Sequence, residues 1–188
     1  MPVTPQIHPV LGAVLRYWQA KRGARAMPSR REIDPVEMGA NLLPHLVLSD
    51  LLDRGTRVRF RLVGTAVVKR MGFDPTAGYL GAEPMGGWAD LLSALHRLVY
   101  AERAPIEAQS EFTWKPDRRL GVEQLLLPLS QDGSDPAIAL AAFVFASADP
   151  FPPLLRALPP GAQHRELGRQ VLRAQTSSAS LRAGREVA

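Results

Sequence analysis

The chain has 188 residues, 46% of them hydrophobic and 22% charged, with a formal net charge of +5. That length is one domain with extensions or two small ones, and it buries a core without covalent staples. The absence of cysteine excludes a disulfide framework, a thiolate metal or iron–sulfur site, a thiol nucleophile and flavin–cysteinyl photochemistry.

The charge is unevenly placed. Residues 1–33 hold six Lys/Arg and one acid, residues 34–150 eleven and fifteen, and residues 151–188 six and two. The basic character therefore belongs to the two flanks around a mildly acidic middle, and any nucleic-acid role rests on those flanks. They lack interleaved aromatics and Lys clusters, so solubilising charge on helix faces is the favoured reading. The longest apolar run, Ala137 to Ala146, is too short to span a bilayer. The opening MPVTPQIHPV has no charged segment followed by an apolar stretch, which is unlike a secretory signal. The expected location is cytoplasmic, with no membrane association.

In chain order, Val10 to Lys21 reads as a helix, with Val10, Val14 and Trp18 recurring every four residues beside Leu11 and Leu15. Pro9 suits its first turn and Gly23 its end. Residues 24–33 read as an extended basic connection. Asp34, Pro35 and Glu37 predict a short helix to about Leu43, stopped before Pro44. His45 to Leu52 reads as a strand, Asp53-Arg54-Gly55 as a turn, and Arg57 to Val63 as a strand. In the second strand Val58, Phe60 and Leu62 face one way and Arg57, Arg59 and Arg61 the other. The arginine face suits either an anion site or pairing with acids on a neighbour; the second is favoured.

Residues 64–87 are punctuated by glycines and read as turns and loops. Trp88 to Arg103 is the longest helix, with Trp88, Leu91, Leu92, Leu95, Leu98 and Val99 in one apolar stripe. Three strands follow. Ile106, Ala108, Ser110, Phe112 and Trp114 share one face of the first, which a Pro116-Asp117 turn joins to Leu120–Leu129. QDGSDP then leads to Ala137–Ala146. Leu125-Leu126-Leu127 and Phe143-Val144-Phe145 are apolar on both faces and must be covered on both. The long helix covers one face; the Trp18 helix, from the same chain or from a second copy, covers the other. The five prolines within DPFPPLLRALPP (149–160) mark a boundary. Gln163 to Arg173 reads as a weak helix, and Thr176 onward as disordered. The domain reading is a helix and basic connection at 1–33, a core at 34–148, and a proline-rich linker with a basic tail at 149–188.

Two strands, a glycine-rich connection, a long helix and three strands is an order that resembles a PAS domain. The detailed sequence is similar to a family of small bacterial PAS-like proteins through Tyr17-Trp18, Lys21-Arg22, Pro28-Ser29-Arg30, Asp34-Pro35, Leu43-Pro44, Leu48, Asp50, the strand Arg59 to Thr65, Gly72, Asp74 and Thr76. That family tends to read Asp-x-Thr-Gly, whereas here Ala77 stands between Thr76 and Gly78. The resemblance implies an α+β fold: a five-stranded antiparallel sheet with helices over one face, an N-terminal helix covering the other or dimerising, and a role as a sensor or interaction module. It names no ligand.

No GxGxxG, GxxxxGK[ST], HExxH or GxSxG occurs. Glu107 and Glu111 are ~13 Å apart along a strand, too far for an acid–base dyad. The inward pattern nominates Phe60, Leu62, Leu95, His96, Phe112 and Trp114 as the lining of a ligand pocket, with plain core as the alternative. His96, on the flank of the long helix's stripe, is the candidate axial ligand if haem were the cofactor; a boundary histidine is the favoured reading. Val14, Tyr17 and Trp18 are the candidate dimer interface. No catalytic or metal-ligating set emerges. The expected function is a regulatory module that is not an enzyme, homodimeric in the manner of PAS domains and binding a small molecule, a protein partner or both. The rivals are a small cavity enzyme, which needs a perturbed polar group aimed inward, and a nucleic-acid-associated regulator, which needs salt-dependent binding through residues 151–188.

Overall fold

The computed structural model describes residues 7–82, 85, 87–147, 155, 158 and 161–173. Helix α1 (Pro9–Arg22) starts with Pro9 at its first position and His8 Nδ1 accepting from the Val10 N–H, and it stops at Gly23. Its Leu11, Val14 and Trp18 are fully buried, as their spacing requires. Helix α2 (Pro35–Met38) begins where the Asp34 carboxylate caps the Val36 N–H at 2.8 Å. It ends sooner than the sequence predicts, because Gly39 takes φ +84 and turns the chain away.

Strands β1 (Leu46–Leu52) and β2 (Arg57–Val63) form the expected hairpin. Two of the three β2 arginines meet acids: Arg61 with Asp50 at 2.7 Å and Arg57 with Asp53 at 3.2 Å. The glycine-punctuated stretch contains a regular element, helix α3 (Thr65–Met71), which the sequence reading treats as loop. Gly64 precedes it, hydrogen-bonded to Leu46 O at 2.7 Å; a Cβ there would lie 2.4 Å from Pro44 O, so no larger residue fits. Asp74 caps a turn at Thr76 N rather than a following helix. Ala77 and Leu80 then bond to Phe60 O and Val58 O, closing the free edge of β2.

Helix α4 (Gly87–Glu102) is followed by β3 (Ile106–Lys115), β4 (Arg118–Ser130) and β5 (Pro136–Ser147), all as expected. The tail departs from expectation. Gln163–Val171 is not a helix but a strand, β6, antiparallel to β3. Only Leu167, Val171 and Leu172 among residues 163–173 are apolar, too few for a helical stripe, and the open N–H and C=O row of β3 supplies partners instead. The sheet therefore has six strands, in the order β2-β1-β5-β4-β3-β6. Leu155 and Leu158, from the proline-rich stretch, pack against the core beneath α4. The segment from Thr176 onward, read as disordered, lies outside the described residues.

Two cores result, one on each face. Leu51, Phe60, Leu95, Phe112, Leu126 and Phe143 pack beneath α4, and Leu11, Val14, Trp18, Leu125, Leu127 and Leu140 beneath α1. The consecutive leucines of β4 alternate between them, so both faces are covered within one chain. Trp18 Nε1 donates to Pro128 O at 2.9 Å, which fixes α1 on its own sheet. Each fully buried leucine contributes ~1.5–3 kcal/mol to this docking. No described helix is long and apolar enough to cross a membrane.

Candidate functional site

Buried polar atoms on β4, β3 and β6 lie near the first turn of α4. Trp88 projects from that turn onto the sheet, where its ring meets Phe143, Phe112 and Phe145 edge-on at centroid distances of 5.7, 6.2 and 6.2 Å. Such edge-to-face contacts orient the indole as well as bury it. Its Nε1 donates to Gln124 Oε1 at 3.3 Å. Gln124 sits on β4 in an inward register position, between Val122 and Leu126, and is fully buried; its Nε2 finds no partner among the described residues. Ser110, inward on β3, buries its hydroxyl the same way.

β6 completes one side. His164 stands opposite Phe112 in register, its ring 4.7 Å away, with Nε2 buried and unpartnered. Burial lowers its pKa, while Glu166 and Asp90 pull the other way. A Cβ on Gly87 would come within 3.4 Å of His164 Nδ1, so the start of α4 abuts β6 directly. Buried polar atoms without partners are uncommon in folded proteins, and here three residues on β4, β3 and β6, adjacent in the sheet, supply them.

His96 lies farther along α4. The stripe geometry predicts a boundary position, but the side chain is 1% exposed. The turn at Asp53–Gly55 explains this: it packs on α4 so closely that a Cβ on Gly55 would sit 3.0 Å from His96 O and 3.1 Å from Tyr100 Cβ, widening the covered arc of the helix. Nδ1 donates to Leu92 O at 2.7 Å, leaving Nε2 as a bare acceptor. Burial pushes the imidazole pKa down to about 4, so it is neutral at neutral pH. A bare Nε2 is what an axial ligand needs, but complete burial leaves it no accessible face for a haem.

Of the other nominated pocket residues, Phe60, Leu95 and Phe112 share the α4-side core and Trp114 packs at its margin. Leu62 does not belong there: it is 50% exposed. The β1–β2 register slips by one residue after Leu48, pairing Leu48 with Leu62 but Ser49 with Phe60. This bulge turns Val63 inward and Leu62 outward. Of the nominated interface, Val14 and Trp18 are buried against their own sheet. Tyr17 holds the start of α2, accepting from the Asp34 N–H at 2.8 Å and lying 3.2 Å from Glu37 Oε2. Glu107 and Glu111 meet Gln170 and Arg165 rather than each other. No cluster of three metal-ligating side chains occurs among the described residues.

The sequence reading passes over Trp88, Ser110 and Gln124 as a site, although a signal exists: Ser110 and Gln124 are polar at inward positions of otherwise apolar alternations. Comparison with known proteins gives one match. A family model described as a PAS domain covers residues 6–144. No curated protein and no solved structure matches the chain.

Proposed function

The chain belongs to the PAS domain family, and on that premise we propose that it senses a small molecule on the α4 face of its sheet and relays the change to a protein partner or a second copy of itself. A PAS domain is a sensory or regulatory module; the ligand and the relay are the finer reading.

One observation carries it: the unpartnered Gln124 Nε2, Ser110 Oγ and His164 Nε2 beneath Trp88. The chemistry that satisfies them is a compact molecule with an apolar body against Trp88 and Phe112, and a carbonyl or carboxylate oxygen accepting from Gln124 Nε2. Because the site is closed over, the ligand enters by displacing α4, and that displacement is the signal. Binding thereby favours the arrangement with α4 shifted.

A binding role fits better than a cavity enzyme, since the groups buried at this site are an amide, a hydroxyl and aromatic rings beside a single imidazole. It also fits better than nucleic-acid binding, since Arg25, Arg165, Arg169 and Arg173 of the flanks are engaged with Glu32, Glu111, Glu166 and Glu102. The test is native against denatured mass of freshly purified full-length chain. The expected result is a small-molecule excess in the native state alone, lost in Gln124→Met. A clean native mass, together with no thermal shift from a library of small carboxylates and amides, would sink the reading. Mass measured against concentration then separates self-association from capture of another protein.

A further inference from the structure

A cavity of ≈ 240 Å³ lies between β3 and β6, lined by residues 107–109 and 167–170. It sits where the two strands lose register: Gln109 pairs with Gly168 but Ser110 with Glu166, so Leu167 is an extra residue on β6 and the strands part around it. The cavity is open to solvent on one side and shares no lining residue with the α4 site.

Glu107 lines this cavity. The residue is 3% exposed; one carboxylate oxygen accepts from Gln170 Nε2, and the other, Oε1, is buried with no partner among the described residues. A buried carboxylate oxygen without a donor is costly. The neighbouring cations do not answer it. Arg169 is held by both oxygens of Glu166, Arg165 by Glu111, and Arg173 by Glu102. Glu123, in register with Gln109, adds a second carboxylate on the same face of the sheet as Glu107. Leu167, 51% exposed, offers an apolar surface at the same bulge.

We propose that this cavity is a binding site for a compact alkyl cation, an ammonium or guanidinium whose head draws the buried Glu107 carboxylate round to accept from it and whose alkyl stem rests on Leu167. The unanswered carboxylate oxygen and the adjacent apolar side chain select that class together: a cationic head answers Oε1 with a charge-assisted bond, a neutral N–H head with a weaker one, and an anionic head with none. The head belongs either to a free amine or to a basic side chain such as Arg182 or Arg185 of this chain.

The test is a ¹H–¹⁵N titration of the full-length protein with butylammonium and butylguanidinium chloride, with neutral butylurea as the control. Saturable shifts are expected at residues 107–109 and 167–170 for the cations and not for butylurea. Glu107→Gln should keep the wild-type spectrum elsewhere and bind more than tenfold more weakly. Tighter binding in the Arg182→Gln/Arg185→Gln chain assigns the native head to the chain's own arginines; unchanged binding assigns it to a free amine. The proposal falls if neither chain shows saturable shifts there, if butylurea binds as well, or if Glu107→Gln binds undiminished.

Discussion

On the α1 face of the sheet, Trp18 Nε1 donates to Pro128 O at 2.9 Å and Ser130 N to Pro28 O at 3.0 Å, so the polar atoms at its centre are answered. On the α4 face, Ser49, Ser110 and Gln124 each bury a polar atom that meets nothing among the described residues, as do His96 and His164. The same strands build both faces, with β4 sending Leu125 and Leu127 one way and Leu126 and Gln124 the other. The unmet atoms of the α1 side belong to Arg22, Arg30 and Glu107, outside its cluster of apolar side chains. The difference separates a dock from a candidate site. The apolar cluster beneath α1 is closed by packing and hydrogen bonds, whereas the cluster beneath α4 keeps hydrogen-bonding capacity in reserve.

Removing the dock is the largest test of that contrast. Trp18→Ala deletes a fully buried aromatic and its hydrogen bond to the sheet, and should cost ~3–5 kcal/mol, read by urea unfolding at neutral pH. A chain lacking residues 1–23 should aggregate, because Leu125, Leu127 and Leu140 lose their cover. A soluble, monodisperse truncation would mean that the α1 face is not a dock, and the contrast would fail.

Acid probes the other face. His96 is neutral in the folded chain, with its pKa pushed down to about 4 from 6.5. Above pH 6.5 it is neutral whether the chain is folded or not. As the pH falls below 6.5 the unfolded chain takes up a proton that the folded chain refuses until about pH 4, so stability is lost across that window. Between pH 7 and pH 4.5 the loss is ~2–3 kcal/mol. His96→Leu should remove most of this slope, leaving the smaller contribution that the lowered pKa of His164 makes in the same direction. No histidine packed beneath α1 is buried. An unchanged slope in His96→Leu would place the acid sensitivity elsewhere.

Much of this architecture is legible from local pattern. The β1–β2 hairpin, the stripe of α4 and the two-sided hydrophobicity of β4 and β5 all follow from periods of 2 and 3.6. What is not legible is what register and neighbours decide. Leu62 satisfies strict alternation, yet one extra residue in β2 turns it to solvent. β6 has too little apolar content to announce itself and exists because β3 offers an edge. His96 is buried by a turn more than forty residues away in sequence. Ala77 is the converse case, where a residue with a side chain marks a strained position: it holds φ +68, a conformation that favours glycine. Ala77→Gly should stabilise the chain by about 0.5–1 kcal/mol through relief of that strain, set against the greater freedom of glycine when unfolded. Thermal unfolding checks it, and a lowered midpoint would show that the left-handed turn is not strained.

The smallest effect bears most directly on the contrast. Ser110→Ala removes a hydroxyl that is buried without a partner while keeping nearly the same shape. A satisfied hydroxyl costs stability when deleted, whereas an unsatisfied one leaves stability level or improved. The expected change is a gain of about 0.5 kcal/mol, measured by urea unfolding, together with weaker retention of the proposed small molecule in native mass measurements. Stability and retention then move in opposite directions, as they do when a polar group is kept for binding rather than for folding. A loss of about 1 kcal/mol or more would mean that the hydroxyl is fully satisfied in the folded chain. The α4 face would then be as complete as the α1 face, and the reserve that distinguishes the two would not exist.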